Sequence, residues 1–361
     1  MSCEKLRKDE NTRKVFLELV KAGLFSVNNS RFTVNGSIDW ECAYQLAEQQ
    51  GVVGLVASGI ENLNHNDDAN FKVPQTIALA FAGSAIQMEQ RNDAMNKFIA
   101  GLVEKMRAAD IYFLLVKGQG VAQCYERPLW RPSGDVDLLL SGENYKKAKV
   151  FLSSLSSGNK KEERYTQHLG MNIGQWYVEI HGTLRTGLAA RVDRQVDEVQ
   201  RDVLYDGNVR SWLNWGTQVF LPAPNEDVLL IFTHFIKHFY KEGMALRQVC
   251  DWCRLLWTYR AEIKVEWLAR HLRKAGLMKE WMAFAALAVQ HLGMPEEAMP
   301  LYNPNINRKA EMLMTFILNG YSGNKVKNTW QIAKIFPCKA LRYAPSIFLN
   351  VNWLKVKERF F

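Results

Sequence analysis

Asp135 and Asp137 are the residues of this 361-residue chain whose types and spacing speak most directly of chemistry. The run Gly134-Asp135-Val136-Asp137-Leu138-Leu139-Leu140 reads as a buried strand, and alternate residues of a strand share a face about 7 Å apart. Two hard carboxylate oxygens there, beside a glycine that lets a substrate approach the backbone, suit Mg²⁺ or Mn²⁺ and phosphate oxygens. An Asp-x-Asp at the start of a strand is equally compatible with a solvated edge, so the flanking segments decide. Upstream, the apolar run Ile111 to Val116 stops at Lys117-Gly118-Gln119-Gly120 and passes into a short helical segment, Val121 to Glu126. Such a turn offers free backbone N–H groups and a positive helix end to phosphates. The G-x-x-x-x-G-K-[ST] spacing of a P-loop is missing. Downstream, Trp176-Tyr177-Val178-Glu179-Ile180-His181 puts Glu179 and His181 on one strand face. Glu179 is a third carboxylate of the kind that completes a two-metal site.

Up to about residue 108 the apolar spacing that must position these segments is helical, as in Val15, Phe16, Leu19 and Val20 and again in Ile99, Leu102, Val103 and Met106. Pro74 is placed to open a long helix. Glu143 to Leu155 reads as an amphipathic helix with Ala148, Phe151, Leu152 and Leu155 on one side. Tyr165 to Ile173 and Trp176 to Ile180 read as two strands of a hairpin turning at Gly174-Gln175. From Pro222 the chain turns helical again, with Asn225 expected as N-cap, and helices fill 226 to about 320. The order predicts an α/β (α+β) protein in which a small mixed sheet carries the chemistry. The expected divisions are an N-terminal helical region 1–108, a core 109–222, a helical domain 223–324 and a basic aromatic tail 325–361.

The composition, 48% hydrophobic and 23% charged, is that of a globular chain and excludes disordered and collagen-like classes. Six scattered cysteines are unlike a disulfide framework, and the charged start lacks a signal-peptide core. No apolar stretch reaches the roughly 20 residues of a transmembrane helix. A cytoplasmic chain with reduced thiols is therefore expected. The net charge of +9 admits an anionic partner, but residues 325–361 hold eight basic residues against one acid, leaving the rest nearly balanced. With Trp330, Phe336, Tyr343, Phe348, Trp353, Phe360 and Phe361, that tail is expected to cover the helical domain or touch an anionic membrane surface.

Leu114 to Gly118, Arg131 to Leu140 and Val178 to His181 together resemble the nucleotidyltransferase superfamily typified by DNA polymerase beta and the aminoglycoside nucleotidyltransferases. They look most like a bacterial family of uncharacterised nucleotidyltransferases. That family is marked by a leucine-rich strand ending in Lys-Gly, then an Arg-x-x-Gly-Asp-x-Asp-Leu-Leu strand. His234 to Leu255, with Leu246-Arg247-Gln248 and Asp251, resembles the family's later region, as does Ile335-Phe336-Pro337. The resemblance implies a nucleotidyltransferase core in which Asp135, Asp137 and Glu179 are the catalytic, metal-binding carboxylates. Gly118 would begin the turn holding the triphosphate, within a nucleotide-binding set of Lys117, Gly118, Gln119, Arg131, Ser133 and Gly134. It further implies transfer of a nucleoside monophosphate from a nucleoside triphosphate to an unknown acceptor, whether a sugar, small molecule, protein or RNA. One metal would bind the triphosphate, a second the acceptor, and pyrophosphate would leave. Glu179 is the candidate general base, and Lys117 and Arg131 are candidates to neutralise phosphate charge. Many superfamily members have a serine where Gln119 stands, which motivates the alternative of a non-catalytic nucleotide- or partner-binding module.

Other features read more blandly. His234 and His238 are four apart on a helix without the glutamate of H-E-x-x-H, so packing or contact with the acceptor is expected rather than zinc. Cys250 and Cys253 lack a second ligand pair. Arg247 and Asp251 are spaced for an intrahelical ion pair. The aromatics are scattered over presumed helices and read as core.

Overall fold

The computed structural model describes residues 10–25, 38–64, 72–156, 161–163, 167–320, 325–337 and 339. Four helices come first: α1 (Glu10–Leu24), α2 (Trp40–Gln50), α3 (Val53–Asn64) and the long α4 (Gln75–Ala108), which opens directly after Pro74. Then follow β1 (Leu114–Val116), α5 (Gly118–Ala122), β2 (Asp135–Leu139), α6 (Gly142–Leu155), β3 (Lys161–Glu163), β4 (His168–Ile173) and β5 (Trp176–His181). Helix α7 (Ala190–Leu204) and strands β6 (Val209–Asn214) and β7 (Thr217–Pro222) lead to α8 (Pro224–Lys241), α9 (Leu246–Thr258) and α10 (Val265–Ala275). The described chain ends in α11 (Met278–Leu292), α12 (Asn307–Asn319) and α13 (Lys325–Ile335).

The sheet order is β1-β2-β5-β4-β3, with β2 and β5 parallel and the other pairs antiparallel. It is the expected small mixed sheet flanked by helices. One sheet face presents Leu115, Val136, Leu138, Val178, Ile180, Leu169 and Met171 to the C-terminal half of α4 and to α6, through Ile99, Leu102, Val103, Met106, Ala148 and Leu152. Period-2 alternation then forces Asp135, Asp137, Glu179 and His181 onto the opposite face. A second, larger core gathers apolar residues of α1 to α3 with those of α8 to α12, so helices from both ends of the chain bury their faces together around Phe232, Trp252 and Trp281.

Several local expectations are corrected. Strand β1 starts at Leu114 rather than Ile111, because the Ile111 N–H closes α4 on the Met106 carbonyl at 2.9 Å. Helix α5 starts at Gly118, three residues earlier than expected. Asn225 does not cap α8, whose first residue is Pro224. Its side chain instead accepts from Lys264 N–H (2.7 Å) and donates to the Glu262 carbonyl, tying α8 to the start of α10. Between Gly182 and Pro222, where no element is expected, the chain forms α7 and a separate hairpin. That hairpin turns at Trp215 and Gly216, both at positive φ (47° and 78°), as a two-residue type I′ turn needs.

Cys42, Cys124, Cys250 and Cys253 are buried free thiols. Ile332, Ile335 and Phe336 are buried against the helical core, whereas 338 and 340–361, the bulk of the tail proposed for membrane contact, lie outside the described residues. No described helix is long and apolar enough to cross a membrane. Leu138 is fully buried on the packed face of β2. Leu138→Ala is expected to cost about 2–5 kcal/mol of stability through lost transfer energy and a cavity, read as a lower urea midpoint.

Candidate active site

The parallel pairing of β2 with β5 sets Asp137 opposite Glu179 and Asp135 opposite Tyr177. Carboxylate oxygens of Asp135, Asp137 and Glu179 all lie within 4.8 Å of one another. Asp137 is the most enclosed at 3% exposure, while Asp135 and Glu179 are half-buried. Three hard oxygen donors converging from two strands make a donor set that can hold a divalent cation.

Such crowding has electrostatic consequences. Burial and the neighbouring Asp137 charge raise the pKa of Asp135 above the ordinary carboxylate value. Burial would raise Asp137 too, but the Lys117 ammonium and the His181 hydrogen bond outweigh it and hold that carboxyl well below the usual range. Lys117 Nζ lies 2.9 Å and His181 Nε2 2.8 Å from the same oxygen, Asp137 Oδ1. A carboxylate only accepts, so His181 carries its proton on Nε2. Oδ2 has no hydrogen bond among the described residues and remains available to a ligand. Lys117 reaches Asp137 from a backbone at φ 58° and ψ −148°, a conformation that costs a side-chain-bearing residue about 1–3 kcal/mol.

The hairpin adds a residue absent from the predicted site. His168 pairs with His181 across β4 and β5, their rings stack at 4.7 Å and 7°, and His168 Nε2 lies 3.0 Å from Glu179 Oε2. The signal was in the sequence: counting outward from Gly174-Gln175 pairs 168 with 181. His168, Glu179 and His181 cluster closely enough to suggest a metal site of their own. Parallel imidazoles cannot both aim in-plane lone pairs at one ion, however, so these rings are better suited to holding Glu179 in place.

The other predicted residues separate into two groups. Gly118 and Ser133 meet beside Asp135: a Cβ on Gly118 would stand 3.5 Å from the Asp135 carbonyl oxygen and 3.9 Å from Ser133 Oγ, and Gly118 has φ 41°. Gly134 is exposed, with open space where a Cβ would point. Gln119 and Arg131 turn inward. Gln119 is 1% exposed, and its Nε2 donates to Asn92 Oδ1 on α4 (2.8 Å), so the amide proposed for phosphate is engaged in the interior. Asn92 also donates to the carbonyls of Leu129 and Arg131, fixing the loop before β2. Arg131 forks onto Asp251, Nε to Oδ1 at 3.0 Å and Nη2 to Oδ2 at 2.7 Å, and its Nη1 donates to Ser133 Oγ at 2.7 Å. The expected Arg247–Asp251 pair is thereby corrected, because Asp251 bridges to Arg131 while Arg247 Nη1 donates to the Pro132 carbonyl (2.9 Å).

Helix α8 contributes His234 and His238, whose Nε2 atoms are 3.1 Å apart, with His238 Nδ1 2.9 Å from Glu242. Glu242 is held down to about 2 by that hydrogen bond and by Lys237. Burial, then the charge of Lys117, drives the His234 pKa well below its ordinary value, which places this imidazole within electrostatic reach of the carboxylate site. Because the unfolded chain binds a proton below about pH 6.5 that folded His234 refuses, stability falls as pH drops through that value. His234→Gln is expected to shrink the loss of unfolding free energy between pH 7 and 5.5 by about 1 kcal/mol, measured by urea titration at both values.

A protein-family model described as uncharacterised nucleotidyltransferase matches residues 36–293. No curated protein and no solved structure matches the chain. The matched stretch runs from before α2 to just beyond α11 and contains every residue of the site, including the three carboxylates, the Lys117-Gly118 turn and both arginines. The chain therefore belongs to the uncharacterised nucleotidyltransferase family.

Proposed function

We propose that the protein transfers a nucleoside monophosphate from a nucleoside triphosphate to an acceptor hydroxyl or phosphate and releases pyrophosphate. The observation that carries this reading is the convergence of Asp135, Asp137 and Glu179 within 4.8 Å on the sheet face opposite α4 and α6. An all-oxygen donor set fits Mg²⁺ or Mn²⁺, held by these three carboxylates, which would supply Lewis-acid polarisation of the phosphate and acceptor oxygens.

The chain's own groups account for the remaining steps. The acceptor oxygen attacks the α-phosphorus, and the bond to the bridging oxygen breaks, so that pyrophosphate leaves with that electron pair. Glu179, with His168 Nε2 3.0 Å from its Oε2, is the general base for an acceptor hydroxyl and takes its proton. The first N–H groups of α5 have no carbonyl one turn back, and with Gly118 next to Ser133 and Asp135 they are the donors this reading assigns to phosphate oxygens. Lys117 counters the negative charge of Asp137 until substrate arrives. Gln119 supports the reading in a different way from the serine it replaces, by anchoring the turn to α4 through Asn92. The nature of the acceptor, whether sugar, small molecule, protein or RNA, is a matter of the surrounding helices, as a shared core selects no particular one.

Asp135→Asn separates function from folding. Ionised Asp135 is disfavoured by its buried, acidic surroundings, so neutralising it is expected to leave the unfolding midpoint unchanged or raised. The same variant is expected to lose at least about 100-fold in divalent-metal-dependent transfer of α-labelled phosphate, scored over the four nucleoside triphosphates and acceptor fractions. Wild-type label transfer that persists in Asp135→Asn combined with Asp137→Asn would overturn the assignment.

A further inference from the structure

Two guanidinium groups approach the loop before β2, and only one of them has its charge met. Arg131 spends Nε and Nη2 on Asp251 and Nη1 on Ser133 and the Pro132 carbonyl. Asp251 is further engaged, because Tyr125 OH also donates to its Oδ1 at 2.7 Å. Arg247, one turn earlier on α9, extends across Gly51 to the same loop and donates Nη1 to the Pro132 carbonyl. Its Nε is buried without a hydrogen-bond partner, and it makes no ion pair with a carboxylate among the described residues. The two arginines respond oppositely to burial. Asp251 outweighs it for Arg131, whose charged form is favoured, whereas Arg247 is pushed down by burial and by the like charge of Arg131.

Two guanidiniums, Arg131 buried and Arg247 half-buried, share one carboxylate there, which leaves a surplus positive charge that is costly to keep unmatched away from water. That surplus is within electrostatic reach of Asp135. The Pro132 carbonyl that Arg247 grips lies one residue from Ser133, whose hydroxyl faces Gly118 and the turn before α5. A divalent cation on the carboxylates would repel Arg247, unless a polyanion lay between the two. A triphosphate is such a polyanion, and a planar guanidinium matches its oxygens better than an ammonium does.

We propose that Arg247 of α9 binds the β,γ-phosphates of the nucleoside triphosphate, so that the helical region supplies the phosphate clamp while Arg131 only shapes the loop. This rests on the nucleotidyltransferase reading. The test uses the full chain, with affinities measured for the four nucleoside triphosphates, their monophosphates and inorganic tripolyphosphate, alongside the unfolding midpoint without ligand. Arg247→Gln is expected to weaken triphosphate and tripolyphosphate binding at least 10-fold, to leave monophosphate binding within about 2-fold, and not to lower the midpoint. Arg247→Lys, which keeps the charge but not the fork, is expected to fall between wild type and Arg247→Gln. Parallel loss of monophosphate and triphosphate affinity together with a lower midpoint would mean that Arg247 merely staples the Pro132 loop, and would overturn the proposal alone. An unchanged ratio of triphosphate to monophosphate affinity in Arg247→Gln would overturn it as well. A wild-type chain that binds none of these probes would overturn the nucleotidyltransferase reading, and this proposal with it.

Discussion

Holding three carboxylates together on one half-buried sheet face is the constraint around which the rest of the centre is arranged. Two like charges about 4 Å apart repel by about 4 kcal/mol at the effective dielectric of a protein surface. Asp137, the most enclosed of the three, is the one that receives counter-groups: Lys117 and His181 both meet its Oδ1. The strained backbone of Lys117 costs less than the repulsion its ammonium relieves, so the turn before α5 is kept in a conformation that few side chains adopt. Asp135 has no such partner among the described residues, and burial and the Asp137 charge leave its pKa raised. A site assembled in this way leaves its acidic charge only partly compensated.

Much of this was legible in the sequence where it depends on local periodicity. Strand alternation placed Asp135 with Asp137 and Glu179 with His181, and the Gly174-Gln175 turn carries the register that brings His168 onto Glu179. Contacts between distant segments left no such trace. Arg131 meets an aspartate 120 residues away, and Gln119 is claimed by an asparagine 27 residues upstream on a helix whose pattern reads only as amphipathic. A spacing of four on a helix favours the Arg247–Asp251 pair, yet the buried bidentate partner from the loop wins, because a fork with two parallel hydrogen bonds satisfies a desolvated carboxylate better than one flexible exposed contact.

The two glycines of the turn also serve different ends. Gly118 is favoured by its positive φ, since a Cβ there would make only ordinary contact with the Asp135 carbonyl at 3.5 Å. Gly120 is a packing residue, because a Cβ there would come 2.6 Å from Leu221 on β7, which is itself 2% exposed. The Lys-Gly-x-Gly signature thus combines one position facing the site with one facing the core.

The origin of positive charge around the site follows from the same geometry. The sheet face contributes acids, while Lys117 comes from the turn, Arg131 from the loop before β2 and Arg247 from α9. None of these belongs to the basic segment after residue 325 that accounts for most of the +9. Of these cations Lys117 and Arg131 are paired with Asp137 and Asp251, so the charge left over beside the acids is that of Arg247, whatever the bulk charge of the chain. Helices from either side in sequence, α4 through Asn92 and α9 through Asp251, fix the loop that presents Ser133, Gly134 and Asp135. The sheet alone would place the acids, but it takes those flanking helices to set the loop and the cations against them.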